Sequence, residues 1–244
     1  MEQWGITDCG KIRLDNQDVF KILYDEDKNI SVLIVCDGIG GAKAGNVASS
    51  IAADTFMHSF GKYIENIGTT DEIAEKMTQA VSDANTAVYE KSIHDDDFAG
   101  MGTTLTAAVS TTKGEVIVNI GDSRAYHVTL GSITQITRDH TVIEDMINSG
   151  EISRSQAIRH PSRHLITRAL GTSRVEPPDV FFLCLEIGEH ILLCSDGLTD
   201  VVMDSEILFE LQRGLGVREC CENLLGMALS RGAPDNVTVV IFRK

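Results

Sequence analysis

Four acidic residues stand where apolar runs of the sequence begin or end. Asp37, Asp122 and Asp196 follow such runs, and Asp235 precedes one. Asp37 alone has an ordinary interpretation, because Asp37-Gly38 is an Asp-Gly pair and such pairs are common in turns. If the four runs are strands that share a sheet edge, four carboxylates converge, and their repulsion requires a compensating charge. Oxygen ligands alone suit a hard cation such as Mg²⁺ or Mn²⁺ rather than zinc.

The four runs have the composition of buried strands, since they are short, apolar and mostly rich in β-branched residues. They cover residues 31–36, 116–120, 190–194 and 237–242. After the first run comes a loop with Gly40, Gly41 and Gly45, whose glycines let the backbone come close to another group. A carboxylate at the end of a buried strand, facing such a loop, is well placed to bind a metal.

Helical spacing of apolar residues predicts the other elements. Two helices with buried faces at 47–60 and 73–88 follow the first run, and Thr69 with Glu72 forms a capping box for the second. Strands return over 101–137 with a hairpin around Leu130-Gly131. Two more helices are predicted at Ser205–Arg213 and Val217–Ser230, each ended by a glycine. This order favours antiparallel sheets covered by helices, in one domain.

Residues 138–175 break the strand pattern. Thr141 and Ser153 can each cap a short helix, and Gly150 and Pro161 stop the two helices. The stretch is therefore a helical insertion between strands. It is rich in arginine and histidine.

Composition limits the possible functions. The chain has 244 residues, 43% hydrophobic and 23% charged, and a net charge of −15, which disfavours a nucleic-acid-binding surface. Its six cysteines form no C-x-x-C pair, and several lie within apolar runs, which favours a reducing compartment. The first residues do not resemble a signal peptide, and no apolar run approaches the about 20 residues of a membrane span. We expect a cytoplasmic protein.

Six motifs in order resemble those of the type-2C metal-dependent serine/threonine protein phosphatases, the PPM family. They are Gly10-x-x-Arg13-x-x-Asn16-Gln17-Asp18, Asp37-Gly38-x-Gly40-Gly41, Gly102-Thr103-Thr104, Gly121-Asp122-Ser123-Arg124-Ala125, Ser195-Asp196-Gly197-Leu198 and Asp235-Asn236-Val237-Thr238. The resemblance covers essentially the whole chain, 1–244, as one bacterial-type catalytic domain. It implies an α+β fold in which two antiparallel sheets form a central sandwich flanked by pairs of helices. The insertion at 138–175 resembles the family's flap, and we use that name for it.

The resemblance also implies a metal site. Asp37 resembles the carboxylate that bridges two metals, and the Gly38 carbonyl resembles a ligand of the second metal. Asp196 and Asp235 resemble further ligands of the first. Asp18 resembles a member of the same site that acts through water on the metal, and Asp122, with Asp196, resembles the weaker third-metal site of bacterial members.

Other residues match positions around the metals. Arg13 resembles the residue that holds the substrate phosphate, a role that suits a planar guanidinium; its ordinary alternative is a surface salt bridge. Asn236 is expected to orient Asp235 or a water. Gln17 stands where glutamate is common in the family, so affinity for the second metal can differ. The hydroxyls of Thr103 and Thr104 are interpreted as turn or core hydrogen bonds.

The general acid is the main departure from the family. Many members have histidine after Asp-Gly, where this chain has Ile39. The leaving alkoxide needs a proton, for which water on the metal is the first candidate and the flap residue His160 the second. Arg159, Arg163 and His164 are candidates for substrate recognition, although flap solubility explains them more simply.

The sequence therefore predicts a phosphoserine/phosphothreonine protein phosphatase in which water, activated by two Mn²⁺ or Mg²⁺ ions, attacks the phosphorus. Expected partners are phosphorylated proteins, including a serine/threonine kinase that it opposes, with no nucleic acid or membrane, and the chain is expected to be a monomer. Two alternatives remain: a pseudophosphatase that binds phosphoproteins or scaffolds them, and a Mg²⁺-dependent nuclease, which the acidic composition disfavours.

Overall fold

The computed structural model describes residues 1–40, 44–64, 68–157, 160–162 and 164–244. Gly41 of the Asp-Gly motif and the flap residues Arg159 and Arg163 lie outside the described residues. The strands are β1 (Glu2–Asp8), β2 (Asp18–Asp25), β3 (Ile30–Ile39), β4 (Gly102–Thr103), β5 (Leu105–Thr111), β6 (Gly114–Ile120), β7 (Arg124–Val128), β8 (Ile133–Gln135), β9 (Asp179–Leu183), β10 (His190–Cys194) and β11 (Val237–Arg243).

The described α-helices follow the same chain order. They are α1 (Ala44–Gly61), α2 (Thr70–His94), α3 (Val142–Asn148), α4 (Arg154–Ala157), α5 (Asp196–Thr199), α6 (Asp204–Leu211) and α7 (Val217–Ser230). A short 3₁₀ helix, Asp96–Phe98, follows α2. No described helix is both long and apolar enough to cross a bilayer.

The strands form two antiparallel sheets. One has five strands in the order β1-β11-β10-β7-β8, and the other has six, in the order β2-β3-β5-β6-β9 with β4 paired to β3. The predicted strand runs are confirmed, but they do not share one sheet. Asp37 lies in β3 of the six-stranded sheet, and Asp122 follows β6 of the same sheet, whereas Asp196 follows β10 and Asp235 precedes β11, both of the five-stranded sheet. The condition of a shared sheet edge is therefore not met, and the carboxylates meet across the sandwich.

Three apolar clusters hold the layers together. One lies between the sheets and includes Leu33, Ile117 and Phe242. A second joins the six-stranded sheet to α1 and α2, and a third joins the five-stranded sheet to α6 and α7. Each sheet thus buries both faces, because helices cover the sides that the other sheet does not. This confirms the predicted sandwich flanked by helices.

Local signals in the sequence also place element ends correctly. Thr69 and Glu72 form the predicted capping box at the start of α2. In the flap, the Thr141 hydroxyl caps α3 by accepting from the Glu144 N–H at 3.2 Å. The main differences are that β3 continues through Asp37 and Gly38, which were expected to leave the strand, and that α5 was not predicted.

Candidate active site

A cleft of about 600 Å³ opens where the two sheets and the flap meet. Most of the residues that line it come from the motifs. They are Arg13, Gln17, Asp37, Gly38, Ile39, Gly40, Thr104, Asp122, His164, Ile166, Asp196, Asp200, Pro234, Asp235 and Asn236. The structure therefore brings together all four carboxylates predicted from the strand ends, and it places Arg13 beside them.

Asp37 and Asp18 form the deepest part of the site. They lie opposite each other on the paired strands β3 and β2. Oδ2 of Asp18 accepts hydrogen bonds from the hydroxyls of Ser195 and Thr238, each at 2.7 Å. These two donors come from the other sheet, so Asp18 joins the two halves of the sandwich beneath the cleft.

Two glycines allow the backbones at the site to approach closely. A Cβ on Gly38 would collide with the Gly45 carbonyl at the start of α1. A Cβ on Gly197 would collide with the Asn236 carbonyl. The second contact places α5 against the start of β11 and so brings Asp196 next to Asp235. The glycine of each Asp-Gly motif is thus required by packing rather than by turn conformation.

The carboxylates raise one another's pKa values. Burial first, and then the charges of neighbouring aspartates, raise the pKa of Asp37 and of Asp196 well above the ordinary value. Burial raises the pKa of Asp18 to about 6, against the hydrogen bonds from Ser195 and Thr238. Burial and the charge of Asp139 raise the pKa of Asp122 to about 6. Without a positive charge among them, these groups resist ionisation.

The donor set fits a divalent metal ion. Oδ1 of Asp18 and Oδ1 of Asp196 are buried and have no hydrogen-bond partner in the described structure. Buried oxygens without a partner are costly, and an ion is one explanation for them. Carboxylate oxygens and a nearby carbonyl are the ligands of Mg²⁺ and Mn²⁺. A cation would also oppose the burial and the repulsion that raise these pKa values.

Arg13 reaches the cleft on a loop that Asn236 anchors. The side-chain amide of Asn236 donates to the carbonyls of Cys9 and Asp15, both at 3.0 Å, and accepts from the Gln17 N–H at 2.9 Å. It was expected to orient Asp235 or a water, but it is the backbone N–H of Asn236 that donates to Asp235, at 2.9 Å. Nη2 of Arg13 donates to Oδ2 of Asp235 at 2.7 Å.

The Gly-Thr-Thr motif fixes the backbone of Asp37. Oγ1 of Thr104 accepts from the Asp37 N–H, and Oγ1 of Thr103 donates to the Asp37 carbonyl, both at 2.9 Å. The Thr104 hydroxyl also contacts that of Ser123 at 2.8 Å. These hydroxyls therefore position the backbone of Asp37. This agrees with their interpretation as turn or core hydrogen bonds.

The flap contributes His164 to the cleft rather than His160. Nδ1 of His164 lies 3.6 Å from Oδ2 of Asp200. Ligand atoms of His164, Asp196 and Asp200 all lie within 4.8 Å of one another. His160 is not among the described residues that line the cleft, and its Nδ1 accepts from the Ser162 N–H at 3.2 Å.

Asp200 was missed by the sequence analysis. It follows Asp196 by four residues, and residues four apart lie on the same face of a helix. That spacing was the available signal, but it required recognising that a helix begins at Asp196. Ile166 and Pro234 also line the cleft and carried no recognisable signal.

The comparisons with known proteins agree with this geometry. The family model described as protein phosphatase 2C matches residues 11–223. The chain belongs to the protein phosphatase 2C family. A serine/threonine phosphatase, stp, of Listeria monocytogenes serotype 4b is 34% identical over 238 residues, which are 98% of this chain and 94% of the relative.

Solved structures of the phosphatase 2C family are also similar. The structure of serine/threonine phosphatase Stp1 from Staphylococcus aureus has a TM-score of 0.92 and 34% identity, covering 100% of this chain and 94% of that one. The Ser-Thr phosphatase MsPP from Mycobacterium smegmatis, solved in complex with cacodylate, has a TM-score of 0.83 and 33% identity, covering 99% and 97%. The predicted phosphatase 2C fold and family are confirmed.

Proposed function

We propose that the protein removes phosphate from phosphoserine and phosphothreonine in proteins, using divalent cations held by the carboxylates of the cleft. It is a serine/threonine protein phosphatase of the phosphatase 2C family. The observation that carries the proposal is the meeting of Asp37, Asp122, Asp196 and Asp235 with Arg13 in one cleft. Cacodylate, which the Mycobacterium smegmatis relative binds, is a tetrahedral oxyanion like phosphate.

Family membership implies dependence on a divalent metal. The ions we propose are Mn²⁺ or Mg²⁺, with two held by Asp37, Asp196, Asp235, the Gly38 carbonyl and, through water, Asp18. A weaker third ion would be held by Asp122 and Asp196, and Asp200 offers it a further oxygen. When bound, such ions neutralise phosphoryl oxygens and lower the pKa of water that attacks the phosphorus.

Arg13 holds the phosphate in this proposal. Its side chain is 54% exposed at the rim of the cleft, and one of its two terminal nitrogens, Nη2, donates to Asp235. The other N–H groups of the guanidinium can then bind phosphate oxygens in pairs. The anchoring of the Arg13 loop by Asn236 keeps this cation at a fixed distance from the carboxylates.

The leaving alkoxide takes its proton from elsewhere than the position after Asp37-Gly38. Ile39 lines the cleft but has no proton to give. Water near Asp122 and Asp200 is our first candidate for the donor. His164 replaces His160 as the flap histidine to test, because it lines the cleft.

A pseudophosphatase is the second candidate function, and the absence of a metal-binding carboxylate would favour it. All the predicted acidic ligands, Asp18 included, lie at or beneath the cleft. Membership of the phosphatase 2C family also replaces the nuclease interpretation. Catalysis therefore accounts for the site better than binding alone.

The protein acts on phosphoproteins, and we propose a serine/threonine kinase as one of them. We further propose a monomer that is one catalytic domain. A cytoplasmic location fits the six cysteines, which are all free thiols.

Hydrolysis of phosphothreonine peptides with Mn²⁺, Mg²⁺ or EDTA tests the proposed function. We expect turnover with either ion and loss of turnover in EDTA, because in the proposed mechanism bound ions lower the pKa of the attacking water and EDTA removes them. Full turnover in chelator would show that the reaction does not use bound cations. Metal binding without turnover on any phosphopeptide would favour the pseudophosphatase.

Arg13→Ala tests the phosphate-binding role separately. We expect KM for phosphopeptides to rise by on the order of tenfold, since a charge-assisted hydrogen bond contributes about 1.5–3 kcal/mol. Calorimetry should show that the variant binds metal at least as tightly, because it lacks the positive charge that Arg13 places next to Asp235. An unchanged KM would remove Arg13 from phosphate binding, and weaker metal binding would make it structural.

A further inference from the structure

A second large groove lies on the flank of the six-stranded sheet and shares no described lining residue with the cleft. Its volume is about 900 Å³. One wall is the outer side of α2, including Asp71 and Glu75, and the other wall is the segment from Val175 to Phe182. We call it the β9 groove, because the second wall includes residues of β9.

The main chain of β9 is open on one side. β9 is the last strand in its sheet, where it pairs with β6, and no described strand pairs with its outer side. An edge strand presents a row of N–H and C=O groups that can pair with another extended chain. Addition of a peptide strand to such an edge is a common mode of recognition.

Apolar side chains line the same groove. Phe181 and Leu183 face the core between the sheets, whereas Val180 packs towards the helices. Phe182 points to the same side as Val180, because side chains alternate along a strand. It remains 53% exposed, and Val175 is 76% exposed. The helix α2 packs over β6 and leaves the β9 side of the sheet partly uncovered.

The charge of the groove is negative. Asp71 and Glu75 are exposed, and neither has an ion-pair partner among the described residues. A third acid, Glu176, is already paired with Arg168, whose Nε lies 2.7 Å from Oε1. Two carboxylates beside an apolar strand edge therefore lack a cation, and a basic ligand would supply it.

We propose that the β9 groove binds an extended segment of a partner protein that adds as a strand to β9 and carries apolar and basic residues in turn at every second position, so that both kinds of side chain face the groove. Its apolar side chains pack on Val175, Val180 and Phe182, and its basic side chains pair with Asp71 and Glu75. Pairing with the main chain of β9 fixes the orientation of the bound segment. The acidic side chains of α2 favour segments that carry basic residues.

The test uses a short, fluorescently labelled, unphosphorylated peptide in which lysine and valine or phenylalanine take turns at every second position, with serine between them, so that both face the groove. We expect saturable binding by fluorescence anisotropy that weakens as salt rises. A peptide of the same composition, with its lysines in one block, controls for attraction to the net charge of −15. Because no phosphoryl group is present, failure here leaves the proposed phosphatase activity untouched.

Two peptides with N-methyl groups at alternate amides test strand addition. A strand offers its amides alternately to opposite sides, so one pattern blocks pairing with β9 and the other leaves it intact. We expect one peptide to lose binding and its counterpart to keep it. Equal affinity of the two would overturn the strand-addition part of the proposal.

Phe182→Ser should weaken peptide binding by on the order of tenfold, the scale of removing one apolar anchor. Ile187→Ser is the matched control, because Ile187 is also apolar and is 94% exposed outside the groove. The pair Asp71→Asn and Glu75→Gln should weaken binding and reduce its salt dependence. Glu26→Gln with Asp27→Asn removes the same charge from an exposed turn and should change neither. Hydrolysis of an aryl phosphate should be unchanged in all of these variants.

Three results would overturn the proposal. One is a Kd weaker than on the order of 1 mM for the alternating peptide. Another is equal binding by Phe182→Ser and Ile187→Ser. The third is a dimer of this chain in sedimentation that Phe182→Ser dissociates, which would make a second copy the occupant.

Discussion

Strand β6 carries a buried acidic residue at its start and another just beyond its end, and the two have opposite surroundings. Glu115 is fully buried, and its Oε1 accepts from the Ser110 hydroxyl at 3.0 Å and from Nζ of Lys244 at 2.8 Å. Its Oε2 accepts from the Leu185 N–H at 2.8 Å. Asp122 lies instead among other acids, and burial with Asp139 raises its pKa.

The difference separates a structural carboxylate from a functional one. A buried charge that serves stability is paired and hydrogen-bonded, as Glu115 is. Asp18 and Asp196 instead keep an unpartnered oxygen, and the pKa values of Asp37 and Asp196 are raised well above the ordinary value, which destabilises the protein until a cation binds. Both residues are buried carboxylates, so the partners decide the role.

Asp37→Asn gives the largest expected effect. Phosphopeptide turnover should fall by on the order of 10³-fold or more, because the variant loses a charge that the proposed site shares between two ions. In EDTA the same variant should unfold at a higher temperature, because one repelling carboxylate is gone. Glu115→Gln is the comparison, and it should lower the unfolding temperature instead. If both variants destabilise the metal-free protein, the distinction between the two ends of β6 is lost.

Asp122→Ala should fold and still bind two ions, but lose activity on phosphopeptides by on the order of 10²-fold, the scale of general acid catalysis. The loss on an aryl phosphate should be much smaller, because that leaving group needs little protonation. Calorimetry should show one weak metal site fewer. Equal losses on both substrates would make Asp122 a structural support of the cleft, and the acid should then be sought at His164 and at His160.

Lys244→Met tests the paired carboxylate. Glu115 would keep its bonds to Ser110 and to the Leu185 N–H but lose its cation, at a cost of about 1–3 kcal/mol in the free energy of unfolding. Lys113→Met removes an exposed lysine from the turn before β6 and serves as the control. Denaturant unfolding measures both. Adding Glu115→Gln to Lys244→Met should recover part of the loss, and failure to do so would show that the pair is not coupled.

The smallest expected effect is a pH dependence. The pKa of Asp18 is about 6 in the folded protein against an ordinary value of 3.8, so the folded state binds the proton more tightly. The stability that this proton contributes is lost as pH rises through about 6. The metal-free protein should therefore unfold several degrees lower at about pH 7 than at about pH 5. Asp18→Asn should flatten the slope, and saturating Mn²⁺ should reverse it, because carboxylates bind metal only when deprotonated. Stability that instead rises with pH in EDTA would contradict the raised pKa of Asp18.

The sequence was sufficient to identify the strands, the caps and the chemistry of the site. The apolar runs before Asp37 and Asp196 and the cap at Thr69 depend on neighbouring residues, so they can be recognised without a fold. The oxygen ligands likewise depend on residue type alone. The order of the six motifs then implied the family, and with it the sandwich.

Only the tertiary structure decided which groups meet. Asp37 lies in one sheet and Asp196 just after a strand of the other, Asn236 anchors a loop more than two hundred positions earlier, and His164 enters the cleft from the flap. The pairing of Lys244 with Glu115 and the uncovered edge of β9 are equally invisible in local patterns. Hydrophobic periodicity and capping motifs reflect interactions between residues that are close together in the chain. Contacts between distant segments arise from the packing of the two sheets and the helices, which no local spacing specifies.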